Sequence, residues 1–312
     1  MQAATEPQTE AVVNAEGEPL AISRVSAPLP TRGDDECLIE VEAFSVNRGE
    51  LVLLANRPAG WRPGQDVAGV VVGPAANGEG PKAGERVAAL VEGGGWARHV
   101  AAPLDRVAVT PAGVGSDAAA TLGIAGVTAL RTLRLGGGLL GAPVAITGAS
   151  GAVGRFAVQL ATVQGAAVTA IADERHADEL RALGAVEVLA DPAAAAGLFA
   201  FAIESIGGEM LAKTIAAIEP AGTIVLIGSA SGEPTPISIF DFFGHEGARI
   251  LTYFSYASSD GIDRDLSVLL GLLDDGRLSA PIGLALPWED LADGLRALAD
   301  RQVPGKLVLT IA

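Results

Sequence analysis

The sequence holds a single cysteine, Cys37, among 312 residues, so no disulfide can close within the chain and no metal site built on several thiolates can form. Cys37 reads instead as a small strand side chain inside the run ECLIEVEAF. Cations are scarce: 21 Lys and Arg face 37 Asp and Glu, a formal net charge of -16 with no basic run. A polyanion is repelled by most of such a surface, which excludes DNA and RNA as the expected partner class. It leaves room for a small-molecule ligand bearing phosphate, because a few backbone N–H groups and one or two local cations suffice inside a cleft. Aromatic residues supply only 4% of the chain while hydrophobic residues supply 49%, so the core is aliphatic and ordered. No apolar run reaches the roughly 18 residues of a membrane span, and the first ten residues lack the basic start and apolar stretch of a signal peptide. The expected setting is cytoplasmic, without a membrane partner.

What is present falls into two textures. From residue 11 to about 110 come short β-type runs, AVVNA, CLIEVEAFSV, DVAGVVVG, RVAALV, ARHVAA and RVAVT, joined by Gly-, Pro- and Asp-rich turns, the pattern of a barrel-like β unit. Beyond the turn at 111–115, helical segments alternate with short apolar strands, as in a doubly wound α/β domain with a parallel sheet. Helices are expected over 116–134, 152–164, 174–183, 208–218, 263–275 and 288–301. Strands are expected over 144–147, 167–172, 186–189, 199–203, 223–227 and 248–252, and a closing strand over 306–311 that can rejoin the first unit. The domains are therefore placed at 1–118, rejoined by 256–312, and at 119–255.

The most informative stretch runs from Val144 to Gly154, VAITGASGAVG, followed by RFAVQLATVQG. A buried strand, a glycine turn and a helix occur there in the order of a Rossmann dinucleotide site. Glycine permits the turn, the missing side chains let main-chain N–H groups approach a diphosphate, and the helix N-terminus favours negative charge. Gly148, Ser150, Gly151, Ala152, Val153 and Gly154 are the expected phosphate-binding residues. The spacing is G-x-x-G-x-x-G rather than G-x-G-x-x-G, so the flanking strand and helix carry the assignment.

The choice of nicotinamide cofactor is expected just after the next strand, in AIADERHADEL. Ile171 and Ala172 carry no charge. Arg175 and His176 can face a 2′-phosphate, whereas Asp173 and Glu174 oppose one unless they point away. The segment favours NADPH and leaves NAD open.

Together, VNRGE (46–50), GQDVAGVV (64–71), GERV (84–87), GIAGVTALRTL (123–133), ITGASGAVGRFAVQLA (146–161) and GKLVL (305–309) resemble the medium-chain dehydrogenase/reductase superfamily, and within it the zinc-independent quinone oxidoreductase and enoyl reductase branch. The resemblance implies a GroES-like β-barrel catalytic domain beside the Rossmann domain. It places Asn47, Gln65 and Ile124 where zinc-dependent relatives carry their metal ligands, so no metal is expected. It also implies that the nicotinamide lies near Asn47, Thr128, the loop with Gly228 and Ser229, and the 251–254 stretch, with Lys306 of the GKLVL motif among the cofactor-binding residues.

On this resemblance the chain is an NAD(P)H-dependent reductase of a quinone or an α,β-unsaturated carbonyl. Asn47 is the candidate hydrogen-bond donor to the acceptor carbonyl, and a turn-forming role stays open for it. Tyr253 and Tyr256 are candidate proton donors or pocket walls. Many relatives carry a tyrosine shortly after the Asn47 position, where this sequence has Val52. That departure keeps two alternatives open: a dinucleotide-binding protein without turnover, acting as a sensor or accessory partner, and an alcohol dehydrogenase or carbonyl reductase. The adjacent pair His245 and Glu246 lacks the further partners a metal site needs. The apolar run PISIFDFF (236–243) beside an edge strand points to a homodimer.

Overall fold

The computed structural model describes residues 7–17, 19–255 and 260–312. The chain divides into two compact units, one of Met1–Val127 with Ser259–Ala312 and one of Thr128–Ser258.

The first unit opens with an antiparallel pair, β1 (Gln8–Asn14) and β2 (Ile22–Pro28). β2 lies outside the strands expected from the sequence, because its residues are exposed or half-buried throughout and show no apolar alternation. Next come β3 (Glu36–Val46), α1 (Arg48–Asn56), β4 (Asp66–Gly73), β5 (Arg86–Leu90), β6 (His99–Pro103) and β7 (Val107–Val109). Glu50, in the first turn of α1, accepts from the backbone N–H of Asn47 at 2.8 Å, which fixes where this helix begins. The core gathers inward-facing Ile39, Val41, Phe44, Val67 and Val87 from the strands, and Phe44 stacks on the fully buried Trp96 at 5.9 Å between centroids.

The expected helical stretch 116–134 is not continuous. It consists of α2 (Ser116–Ala119), a π-turn over Leu122–Gly126, and α3 (Val127–Leu135). The π-turn lets the N–H of Ile124 leave the helical ladder and donate to Asp66 Oδ1 at 2.8 Å.

In the second unit follow β8 (Pro143–Thr147), α4 (Ala152–Val163), β9 (Ala167–Ile171), α5 (Ala177–Ala182), β10 (Glu187–Leu189), β11 (Phe199–Glu204), α6 (Gly208–Ala216), β12 (Ile218–Leu226) and β13 (Arg249–Thr252). The strands form one parallel sheet in the order β10-β9-β8-β11-β12-β13. The first strand is therefore central, and the winding direction reverses between β8 and β11, the switch point at which doubly wound sheets bind ligands. The single helix expected over 174–183 is instead a 3₁₀ turn, Glu174–His176, followed by α5. Asp173 caps that turn by accepting from Arg175 N at 3.0 Å, and His176 leaves helical geometry at φ -100, ψ 2. α6 stops at Ala216, and Pro220 falls inside β12, where Ala221 takes φ 60.

The chain then returns through α7 (Ile262–Asp274), β14 (Ile282–Pro287), α8 (Leu291–Ala299) and β15 (Lys306–Thr310). β15 pairs antiparallel with β3 and parallel with β14, completing a sheet ordered β14-β15-β3-β4-β5-β7 with β6 on β3. This pairing brings Lys306 to the strand that ends at Val46. Among the described residues, no helix is long and apolar enough to cross a membrane.

Candidate functional site

The carboxyl edge of the parallel sheet is shaped by glycine. Gly148 takes φ +59, and a Cβ on Gly154 would meet the carbonyl oxygen of Gly148 at 2.4 Å and Ala149 Cα at 2.6 Å. Both obstacles are backbone, so the turn and the start of α4 close on each other only without side chains at these positions. No side chain caps α4 at Gly151. The N–H groups of Ala152, Val153 and Gly154 consequently lack helical acceptors and concentrate positive potential at the helix mouth.

The neighbouring strand ends brace this turn. Thr147 Oγ1 donates to Glu204 Oε1 at 3.0 Å and accepts from Ser205 N at 3.0 Å. Glu204, fully buried, also accepts from the N–H groups of Ile206 and Gly207 at 2.8 and 3.0 Å. The segment after β12 is tied to the same edge, with Ala230 N donating to Ser205 O at 3.0 Å and Ser231 N to Ile206 O at 2.8 Å. Gly228 and Ser229 are exposed beside it. Thr128 lies buried at the start of α3, its carbonyl accepting from Thr132 Oγ1 at 2.7 Å.

Under the turn lies Arg155, whose side chain is 1% exposed. Its Nε donates to Ser150 O at 2.7 Å, Nη1 pairs with Glu179 of α5, and Nη2 is buried without an acceptor. The 3₁₀ turn after β9 sets Asp173 and Arg175 in the open and His176 half-buried. Burial, then the nearby Arg155 and Arg175 cations, hold the His176 imidazole below its usual range, against an opposing pull from Asp173.

In the first unit, Asn47, Glu50, Asp66 and Lys306 form a buried polar cluster. Lys306 Nζ donates to Asn47 Oδ1 at 2.7 Å and to Asp66 Oδ2 at 2.9 Å. Asp66 Oδ2 also accepts from Asn47 Nδ2 at 2.9 Å and from Ser45 Oγ at 3.1 Å. Both polar atoms of the Asn47 amide are thus engaged inside the cluster. Glu50 Oε1 has no partner, and burial, reinforced by the Asp66 carboxylate, pushes the Glu50 carboxyl up to about 8.

Residues 33–124 match the family model described as "Alcohol dehydrogenase GroES-like domain", and residues 152–270 match "Zinc-binding dehydrogenase". The chain belongs to the medium-chain dehydrogenase/reductase superfamily. It is 35% identical over 189 residues to the chloroplast envelope quinone oxidoreductase homolog of Arabidopsis thaliana, a match covering 55% of this chain and 57% of that one. The chain thus spans just over half the length of that relative. It is 29% identical over 273 residues to the trans-enoyl reductase ACTTS2 of Alternaria alternata, covering 79% and 77% of the two chains. Among solved structures, a mycobacterial protein complexed with NADPH superposes with a TM-score of 0.86 at 21% identity, covering 97% of this chain and 100% of that one.

The zinc of the superfamily's metal-dependent members does not fit the donors found here. Asn47 gives its amide oxygen to an ammonium, Ile124 offers no side-chain donor, and Gln65 brings neither thiolate, imidazole nor carboxylate. Among the described residues no group of three or more His, Cys, Asp or Glu is placed to hold a metal.

Of the remaining candidates, Tyr253 follows β13 and donates its backbone N–H to Leu226 O at 2.9 Å, while Tyr256 lies outside the described residues. The structure brings together 148–154, 173–176 and 228–229 on the second unit, and Asn47 with Lys306 on the first. Sequence reasoning missed Thr147, Glu204 and Ser205. An acid closing the apolar strand FAFAIE was the available signal for Glu204, since carboxylates are rarely buried without a task.

The raised Glu50 carboxyl has a definite consequence for stability. Between its ordinary pKa near 4.5 and about 8, the folded chain holds a proton that the unfolded chain releases, so Glu50's contribution to stability falls as pH rises through that window. Glu50→Gln, which retains an acceptor for Asn47 N, is expected to flatten this slope. Denaturant unfolding at pH 5 and pH 8.5 checks it: the variant gains on the native chain at the higher pH.

Proposed function

We propose that the chain is an NADPH-dependent, zinc-independent reductase that passes hydride to a quinone or an α,β-unsaturated carbonyl. The observation that carries the dinucleotide part is the uncapped mouth of α4 above a turn that backbone crowding at Gly154 keeps free of side chains. When bound, the dinucleotide supplies the hydride from its nicotinamide ring. The chain's own part is to hold the diphosphate with the amides of 150–154 and the ribose end with the turn after β9. There, the Asp173 carboxylate is engaged with its own turn, and Ile171 and Ala172 offer no acid to the ribose hydroxyls, which supports NADPH over NAD. On the first unit Asn47 is the candidate polar group, its amide held in place by Lys306 and Asp66. Tyr253 remains the candidate proton donor.

The quinone and enone classes rest on the relatives' names together with a donor set unsuited to zinc. A second reading, dinucleotide binding without turnover, is favoured by the complete engagement of the Asn47 amide and by Val52, which is 62% exposed where relatives carry a tyrosine. One experiment separates the two. NADPH absorbance is followed with a panel of quinones and enones, beside Gly154→Asp as the control. Turnover above the control is the expected result; tight NADPH binding with no turnover on any acceptor establishes the second reading.

We further propose a homodimer formed along β13, the last strand of its sheet. Ile237, Ile239, Phe240 and Phe243 nearby are 47–73% exposed, an apolar cluster that a lone chain leaves to water. Light scattering at micromolar concentration is expected to give twice the chain mass, and Phe240→Glu with Phe243→Glu to give the single mass. A single-chain mass for the unaltered protein removes the dimer.

A further inference from the structure

The first unit holds a cation that its own side chains leave unanswered. Arg62, in the loop between α1 and β4, is half-buried, and its Nε is enclosed without an acceptor. Burial alone bears on the guanidinium, lowering its pKa with no carboxylate to oppose it, in a chain where Asp and Glu outnumber Lys and Arg by 37 to 21. Arg24, Arg98 and Arg106 of the same unit each reach a glutamate. A charge withdrawn from water without a counter-ion is destabilising, and an arriving anion relieves it.

Arg62 lines a cavity of about 340 Å³ together with Trp61, Gly93, Gly94, Val100 and Ala101, a volume at the lower end of the roughly 300–1,000 Å³ of small-molecule pockets. Backbone bonds hold its walls. Asn14 N donates to Trp61 O at 2.8 Å and Gly94 N to Arg62 O at 3.0 Å, while the buried Asn14 amide donates to Leu54 O and Arg57 O, each at 2.9 Å. The exposed Arg57 lies over the Trp61 ring at 5.9 Å. Gly94 takes φ +78, and a Cβ added there would already stand 3.9 Å from Arg62 Nε, so glycine keeps side-chain bulk off the guanidinium. Val100 and Ala101 pair with Ile39 and Leu38 in the first half of β3, whereas Asn47 follows the last residue of that strand. No residue of the Asn47 cluster lines the cavity.

We infer that this cavity binds a small monocarboxylate with an apolar body, its carboxylate on Arg62 and its body against Trp61, Val100 and Ala101. The site stands apart from the dinucleotide reading and does not rest on it. Arg62 is the only cation among the lining residues, and one guanidinium fork matches one carboxylate through two parallel N–H···O bonds. A phosphate dianion brings a second charge that no lining residue meets. A longer polyanion is disfavoured by the adjoining hollow, which shares Gly93 and Ala101 and carries Glu36 and Glu92 beside Arg106. Those acids are engaged locally, Glu92 by Arg106 at 3.0 Å and Glu36 by Gly33 N at 2.7 Å, and their charge repels any further anionic group.

The test is calorimetry of the full chain with 3-phenylpropanoate and its uncharged counterpart 3-phenylpropanamide, with amide NMR of the labelled chain to locate the contact. The expected result is one equivalent of acid bound, the amide weaker by about tenfold or more, and signal shifts centred on Gly93, Gly94 and Ala101. Arg62→Gln is expected to bind acid and amide alike, and Arg62→Lys, which keeps the charge without the fork, to retain part of the preference. Ala101→Leu, which fills the cavity and leaves the arginine, weakens both ligands. Signals unchanged away from the cavity show that the variants fold. Equal binding of acid and amide by the native chain overturns the inference. So does an acid preference that survives in Arg62→Gln, a set of shifts confined to 150–154 or to the Asn47 cluster, or no binding at millimolar concentration. Phenyl phosphate tests the other anion: binding about tenfold or more tighter than the carboxylate, with the gain lost in Arg62→Gln, overturns the carboxylate assignment.

Discussion

The second unit is organised around one unmet demand: the first N–H groups of α4 point out of a helix that no side chain caps. A helix start left in this state favours an anion, because the amide dipoles add along the axis and have no other acceptor. The surroundings preserve the demand instead of satisfying it. Gly154 stands 2.4 Å, measured from a notional Cβ, from the carbonyl of Gly148, so even alanine forces backbone apart. Thr147, Glu204 and Ser205 bond to one another and to the loop backbone, which holds the strand ends still without lending a side chain to the turn itself.

The buried polar cluster of the first unit shows the opposite arrangement, in which Lys306 Nζ and Asn47 Nδ2 both find acceptors. Asp66 and Lys306 lie 240 positions apart in sequence and meet because β15 pairs with β3. Removing one partner of such a buried pair typically costs roughly 3–5 kcal/mol, since it strands the other charge away from water. The pair and its Asn47 bridge therefore anchor the returning C-terminal strand as well as carrying polarity. Burial, reinforced by the neighbouring Asp66 carboxylate, pushes the Glu50 carboxyl up to about 8.

The central strand–turn–helix was legible because three local signals agree within a dozen residues: an apolar strand, glycine spacing, and a helix whose inward face is continuous. The segment after β9 was legible as to residues but not shape. Asp173 diverted the chain into a 3₁₀ turn that helix periodicity does not distinguish from a first helical turn. β2 and β14 escaped notice because each is an edge strand whose side chains are only half-buried or exposed, none fully covered. α1 was missed although Asn47 and Glu50 spell a helix start. The Asp66–Lys306 meeting was illegible in principle, since nothing local to either residue names a partner so distant in the chain.

The most direct measurement of the central claim is an amide NMR titration of the labelled chain with NADPH. The backbone signals of Ala152, Val153 and Gly154 are expected to show the largest shifts, together with slowed hydrogen exchange, as their N–H groups gain phosphate acceptors. NADPH binding that leaves these three amides unperturbed, or an absence of binding at any concentration up to millimolar, contradicts the account.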